Sequence, residues 1–401
     1  MKNTLYKRQL SFNERFFLVF DKINPPIANQ FIMEGTGSFE PDAWERAVRE
    51  ASAANPGSRV RLKGHLGFSR LVDSGKTPPV RQVDGSKWSG NNPDNAPFLQ
   101  TALPIRQGLP CEVLLVEGTP KRVIFRTHHS VMDGRGTMTW IFDIFRALNG
   151  KKCRGSNSVL TDTELAMKIQ PKSRKAFPFE HIAPTGTADG EPCGVTWQRR
   201  TIPGTYHNIT ARLALLLARE AWKYRDGIVR ISIPVDLRAY EEGLASTGNL
   251  TFAIYVEIKK DSTAESIKRD ITAQISSFPD GILSEGDDIY RQIPVSLMAW
   301  KAKGICRERH REGIYSISSL ISNMGALDLS RFSGGGFTAS AMWGIPPGGE
   351  YFPLVMGTCS YNNDTTEIII TMPKVLAGQN RMDRIFDTLI TGLEQDGPEN
   401  K

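Results

Sequence analysis

His128-His129-Ser130-Val131-Met132-Asp133-Gly134 is the stretch on which the reading of this chain turns. It has the form H-H-x-x-x-D-G. Residues 121–127 before it read as a strand, entered through the turn Glu117-Gly118-Thr119-Pro120. Residues 137–148 after it read as a helix, because Met138, Ile141, Phe142, Phe145 and Leu148 recur at helical spacing and Asn149-Gly150 closes the run. A strand-to-helix junction projects side chains from a rigid base. Two adjacent histidines on extended backbone point to opposite sides, so one can face a site while the other packs inward. Asp133 lies where the chain turns into the helix and can hold the loop by a hydrogen bond or an arginine partner. Gly134 is expected to allow a backbone geometry or close approach that a Cβ would forbid. On chemistry alone three readings compete. A metal site lacks an obvious fourth ligand. A histidine general base needs only local orientation. A pair of satisfied histidines at a turn needs no function at all.

Outward from this junction the pattern alternates helices and strands, which argues an α/β or α+β chain. Ser11 with Glu14 forms a capping box that opens a helix through about Asp21. Strands are expected at 29–34, 58–66 and 112–116, and an amphipathic helix from Pro41 to Ala54 places Trp44, Ala47, Val48 and Ala51 on one face. Residues 150–205 turn rich in Gly, Pro, Lys, Ser and Thr and read as a crossover, with a short helix near 162–168. The second half resumes with a helix at 208–224 and strands at 228–235 and 250–258. A helix capped by Ser262 and Glu265 follows, then a helix near 293–310. Strands near 314–320, 352–360 and 366–372 are separated by turn-rich segments, with Gly334-Gly335-Gly336 read as a flexible loop, and a last helix covers 380–394. The expected division is an N-terminal lobe at 1–170, a linker at 171–205 and a C-terminal lobe at 206–401.

Length supports this, since 401 residues exceed one ordinary core. Charged residues make up 23% of the chain, near the globular average, so wholesale disorder is excluded. No apolar run approaches the ~20 residues of a membrane span, and no signal-peptide h-region is visible. Five cysteines without a C-x-x-C pair suggest reduced thiols in a cytoplasmic protein. The net charge of +7 suits an anionic ligand or an acidic carrier protein, without the concentrated stripe that nucleic acid would want. Gly75-Lys76-Thr77 is not a P-loop, because Arg70 stands where the first glycine is needed and Pro78 follows at once. The basic residues of 301–311 are interrupted by Glu308 and read as a solvated helix face.

His128 to Gly134 resembles the signature of the CoA-dependent acyltransferase superfamily, which includes chloramphenicol acetyltransferase-like enzymes, alcohol O-acyltransferases and nonribosomal peptide synthetase condensation domains. Four further stretches match in order: Ser11 to Glu14, Pro234-Val235-Asp236-Leu237-Arg238, Thr247-Gly248-Asn249 and Ser322-Asn323-Met324-Gly325. The resemblance implies two chloramphenicol acetyltransferase-like lobes in a V with a central tunnel. It implies acyl transfer from a CoA or carrier-protein thioester to an amine or hydroxyl, in natural-product biosynthesis. His129 would be the general base. Asp133 would pair with Arg238 across the lobes, and His128 would be structural. The Gly134 amide would lie near the developing oxyanion, and Ser322 and Asn323 would line the tunnel. No tightly bound cofactor and no metal is implied, and acyl-CoA or a phosphopantetheinyl thioester enters as co-substrate. The partners implied are a small-molecule amine or alcohol and a carrier protein, with no nucleic acid or membrane. A monomer suffices, since two lobes build a whole site. A catalytically silent docking module and an epimerase-like member are the alternatives.

Overall fold

The junction strand is central to a sheet. β7 (Lys121–His128) runs antiparallel to β6 (Cys111–Glu117) on one side and to β2 (Ala28–Gly37) on the other. Buried on both faces, these strands read as nearly continuous apolar runs, with Val123, Ile124 and Phe125 fully enclosed. The structure is a computed structural model that describes residues 6–169, 178–277, 290–395 and 397. The expected lobe boundary at 170–171 lies outside these residues. α2 (Pro41–Ala54) and α3 (Gly134–Leu148) pack side by side on the sheet. Trp44, Val48 and Ala51 meet Phe125, Ile141 and Phe145 there. Trp140 belongs to the same core, its indole N–H donating to Ser52 Oγ at 3.0 Å. α1 (Phe12–Ile23) opens on the expected capping box. Ser11 Oγ accepts the Glu14 N–H at 3.2 Å, and Glu14 accepts the Ser11 N–H at 3.0 Å.

The second sheet is built around three parallel strands, β10 (Val229–Asp236), β13 (Ser319–Leu327) and β16 (Val355–Tyr361). Antiparallel neighbours extend it: β11 (Thr251–Ile258) beside β10, then β17 (Thr365–Pro373) and β9 (Val195–Pro203) beyond β16. α5 (Ile209–Trp222), α6 (Ala264–Ser277) and α8 (Arg381–Gln395) bury Leu213, Leu217, Ile267, Phe386 and Leu389 in one core with Ile231, Ile368 and Ile370. α6 is capped one residue later than expected. Thr263 and Ser266 exchange the reciprocal bonds, at 3.1 and 2.9 Å, while Ser262 Oγ accepts from Lys259 in the preceding turn. Among the described residues, no helix is long and apolar enough to cross a membrane.

Two segments depart from the sequence reading. β9 lies within the stretch expected as linker, yet it forms the edge of the second sheet, paired with β17 along its whole length. β14 (Ser333–Gly334) and β15 (Phe337–Ile345) follow the second lobe's strands in sequence, yet β15 pairs with β2 in the first sheet. Gly335-Gly336 is therefore a pinned hairpin turn, not a flexible loop. Trp44 Nε1 donates to Gly335 O at 3.0 Å and Ser38 N to Gly336 O at 2.8 Å, and Gly336 takes the left-handed backbone (φ +77°) that glycine accepts at little cost. The sheets meet through Trp88, Trp197, Trp343 and Ile369. Arg199 of β9 bridges Glu367 at 2.7 and 2.8 Å and Glu34 of β2 at 3.0 Å, with its guanidinium 4.4 Å over the Trp343 ring.

Candidate active site

The strand-to-helix junction forms where it was expected, and both histidines approach α1, His128 at Asp21 and His129 at Phe17. His128 ends β7 and is buried. Its Nδ1 accepts the Ser130 N–H at 3.2 Å, and its Nε2 lies 3.6 Å from Asp21 Oδ2 at the end of α1. Burial opposes ionisation of Asp21, but His128 and the Ile27 N–H outweigh it and hold the carboxyl below the usual range.

His129 is half-buried. Its backbone N–H donates to Ile27 O at 3.0 Å. Its ring stacks on Phe17 of α1, with centroids 3.8 Å apart and planes 9° from parallel. Asn249 Nδ2 donates to the His129 carbonyl at 2.9 Å and lies 3.3 Å from Nδ1. Burial drives the imidazole pKa down to about 4, against the smaller opposing pull of its own carbonyl and the Asp133 charge. The ring is therefore neutral at pH 7.

Asp133 caps α3, its Oδ1 accepting the Gly136 N–H at 2.6 Å. The same carboxylate reaches into the second lobe. Arg238 donates to both oxygens at 3.0 and 3.1 Å, and Leu250 N–H and Thr251 Oγ1 donate to Oδ2 at 2.7 and 2.9 Å. Burial opposes this charge too, yet Arg238 and the N–H donors hold the carboxyl below its ordinary value. Arg238 is itself fixed by Asp236 Oδ1 at 2.8 Å and by the carbonyls of Ser246 and Gly248. Every carboxylate oxygen and guanidinium nitrogen of the pair has a partner within the fold, so the pair orients the loop.

The glycine that close approach demands is Gly136 and not Gly134. A Cβ on Gly136 would lie 2.3 Å from the Thr247 carbonyl, whereas one on Gly134 would meet only the Phe31 ring at 3.6 Å. Asn323 and Ser322 lie on β13. Asn323 is exposed, donates to Thr210 Oγ1 at 3.2 Å and lines a cavity of ≈440 Å³ with α5 and α6; neither Ser322 nor His129 is among its lining residues. Trp44, Trp140 and Trp343 are core residues, and Phe352 packs edge-on to Phe20.

Phe17, Thr251 and Arg8 were not singled out from sequence, and Asn249 was quoted only within Thr247-Gly248-Asn249. Arg8 is buried, pairs with Glu14 and donates to Val131 O inside the motif at 3.0 Å. Glu14 also accepts the Asn249 N–H. The capping-box glutamate thus connects the opening helix to the residue that holds His129. The ordered recurrence of Ser11–Glu14 and Thr247–Asn249 was the available signal for this linkage.

No family model matches the chain, and no curated protein matches it in sequence. Solved structures do match in fold. An arginine-to-alanine variant of the starter condensation domain of rhizomide synthetase RzmA, in complex with C8-CoA, superposes with a TM-score of 0.65 at 13% identity, over 98% of this chain and 96% of that one. The trichothecene 15-O-acetyltransferase TRI3 from Fusarium sporotrichioides gives 0.62 at 12% identity over 96% and 94%. The epimerization domain from the third module of tyrocidine synthetase B gives 0.61 at 12% over 97% of each. At these identities the likeness is one of fold, and the fold is the one these condensation, acetyltransferase and epimerization domains share.

Proposed function

We propose that this chain, having the CoA-dependent acyltransferase fold, moves an acyl group from a phosphopantetheine-type thioester to an amine or hydroxyl, with His129 as general base, in natural-product biosynthesis. The observation that carries the reading is the state of His129. It is held by Phe17 and Asn249 and kept in the neutral form that can accept a proton. In the reaction the imidazole removes the proton from the acceptor N–H or O–H as that atom attacks the thioester carbonyl. The new C–N or C–O bond forms, the C–S bond breaks, and the imidazolium returns the proton to the leaving thiolate. No covalent acyl-enzyme is needed. Holding both substrates at one ring supplies much of the rate. The Asp133–Arg238 pair acts as a positioning pair, setting the loop that aims the ring.

The fold shared with an epimerization domain supports a second reading, in which the same neutral imidazole takes a proton from a carbon of a carrier-bound residue. Thiol release separates the two. Wild type and His129→Ala are given a panel of acyl-CoA and acyl-carrier thioesters with pooled amines and alcohols. Acceptor-dependent thiol release and an acylated product, both lost in the variant, are the expected result. An isomerised product without thiol release selects epimerisation. Equal slow release by both proteins leaves a silent docking module.

A further inference from the structure

Ten large apolar side chains are exposed among the described residues, and five of them, Leu66, Phe68, Tyr290, Leu297 and Trp300, belong to two adjoining segments. One is the turn between β3 (Val60–Lys63) and β4 (Arg70–Asp73). The other is the start of α7 (Val295–Glu312) with the residues that lead into it. The buried Arg15 of α1 ties them together, donating to Leu66 O at 3.3 Å and to Ile293 O. A Cβ on Gly67 would lie 2.8 Å from Gln292 Nε2, and the Phe12 and Tyr290 rings stand 5.8 Å apart. Phe68 is 77% exposed and Trp300 74%, so each ring stands clear of its neighbours. Leu66 takes a left-handed backbone (φ +51°), uncommon for a bulky side chain, in the turn that presents Phe68.

The charge along these segments has one sign. Lys63 and Arg70 are cross-strand partners at the base of the turn and both are exposed, a like-charge pairing that is unfavourable unless an anion lies nearby. Lys301, Lys303 and Arg307 are exposed on α7. Among the described residues none of these five cations has a carboxylate partner. Residues 60–72 and 290–307 hold no Asp or Glu. The first acids of α7, Glu308 and Glu312, pair with Arg309. Leu297, Trp300 and Lys301 stand three and four positions apart and share one helix face. The basic helix face expected from the sequence is therefore continuous with an apolar one.

We propose that this surface docks the protein on an anionic lipid bilayer, with Phe68, Leu297 and Trp300 entering the headgroup region and the five cations facing lipid phosphates and carboxylates. Such a contact lies outside the acyl-transfer reading and is not implied by the family resemblance. Charge and shape select this occupant. Exposed tryptophan beside lysine and arginine suits the membrane–water boundary. A second copy of the chain would set the same cations against one another. A protein partner needs a closely complementary surface, whereas separate projecting rings suit a fluid one. Each cation near an anionic leaflet strengthens binding by about fivefold. The helix that ties the surface together, α1, is also the one whose Phe17 stacks on His129.

Flotation of the full chain with vesicles tests it, using phosphatidylcholine alone and phosphatidylcholine mixed with phosphatidylserine. The protein is expected to float with the mixed vesicles, not with the neutral ones, and to be released as salt rises. Phe68→Glu and Trp300→Glu should each weaken binding by about tenfold or more, with melting curves unchanged because both side chains are exposed. Brominated lipid should quench Trp300, the exposed tryptophan among seven, and Trp300→Phe should remove that quenching. No flotation with the anionic vesicles, or flotation untouched by both glutamate substitutions, overturns the proposal. Self-association in sedimentation velocity that Trp300→Glu abolishes, without flotation, would give the surface to a second copy. Binding of an acidic carrier protein that both substitutions abolish, again without flotation, would give it to a protein partner. Either result overturns the lipid assignment. Thiol release enters none of these readouts, so the acyl-transfer reading and this one fail separately.

Discussion

Removing the Asp133 carboxylate tests the proposition that one buried ion pair holds the motif loop against the second lobe. Asp133→Ala strips Arg238 of two hydrogen bonds and leaves the Gly136 and Leu250 N–H groups and the Thr251 hydroxyl without their acceptor. Breaking a buried pair by deleting one partner costs about 3–5 kcal/mol, and an orphaned buried donor costs about 1–3 kcal/mol. Arg238 keeps Asp236 at 2.8 Å and two carbonyls, which limits the damage on its side. The expected loss is therefore about 4 kcal/mol. Arg238→Ala should cost about 3 kcal/mol, because Asp133 retains its other donors. The double variant leaves neither charge stranded, so it should fall short of the sum by about 2 kcal/mol. Urea unfolding of all four proteins, read by near-UV circular dichroism, gives the cycle. A loss below ~1 kcal/mol for Asp133→Ala, or strict additivity, would refute the argument that the pair is a fold-spanning clasp.

Gly136→Ala should unfold or inactivate the protein, since its Cβ would meet the Thr247 backbone at 2.3 Å, while Gly134→Ala should shift the thermal midpoint little; parallel melting curves check both. With the His129 imidazole pKa near 4, kcat/KM should stay level from neutral pH to about pH 5 and fall as the ring protonates below that; a fall centred near 6.5 would contradict its burial. Burial and the nearby Glu14 charge push the Asp162 carboxyl up to about 7. Its folded-state pKa lies above the unfolded one, so its contribution is complete below about pH 4 and is lost as pH rises through 7. Asp162→Asn should therefore raise the thermal midpoint at pH 8 and change it little at pH 4. An equal shift at both values would rule out the linkage.

The motif junction was legible because its determinants are local. The apolar periods of β7 and α3 flank the histidines, and Asp133 stands at a helix start, where an aspartate caps. The Asp133–Arg238 contact was anticipated only through resemblance, since 105 positions separate the two residues and no period connects them. β15 escaped notice for a physical reason. Ala339, Ala341 and Gly344 dilute its alternation, and the partner that makes it a strand, β2, lies in the other half of the chain. β9 escaped for a related one, because Arg199 and Arg200 occupy positions where a lone reader expects apolar side chains, and Glu367 and Asp383 account for them only once folded. At α6 the tetrads starting at Ser262 and Thr263 both offer a hydroxyl cap, and the backbone selected the second. Asn249 was quoted for its place in a pattern, but its grip on His129 depends on a loop from one lobe meeting a turn from the other.

The transit of β15 into the first sheet has a bearing on biogenesis. Phe337 pairs opposite Gly37, some three hundred positions earlier. On the ribosome, β2 therefore waits with one edge bare until most of the polypeptide has emerged, and a bare strand edge invites wrong partners. Contacts this distant in sequence also slow folding. The halves are consequently not interchangeable cassettes: cutting between them, or grafting the first onto a foreign partner, removes a strand from the sheet that leads into His129.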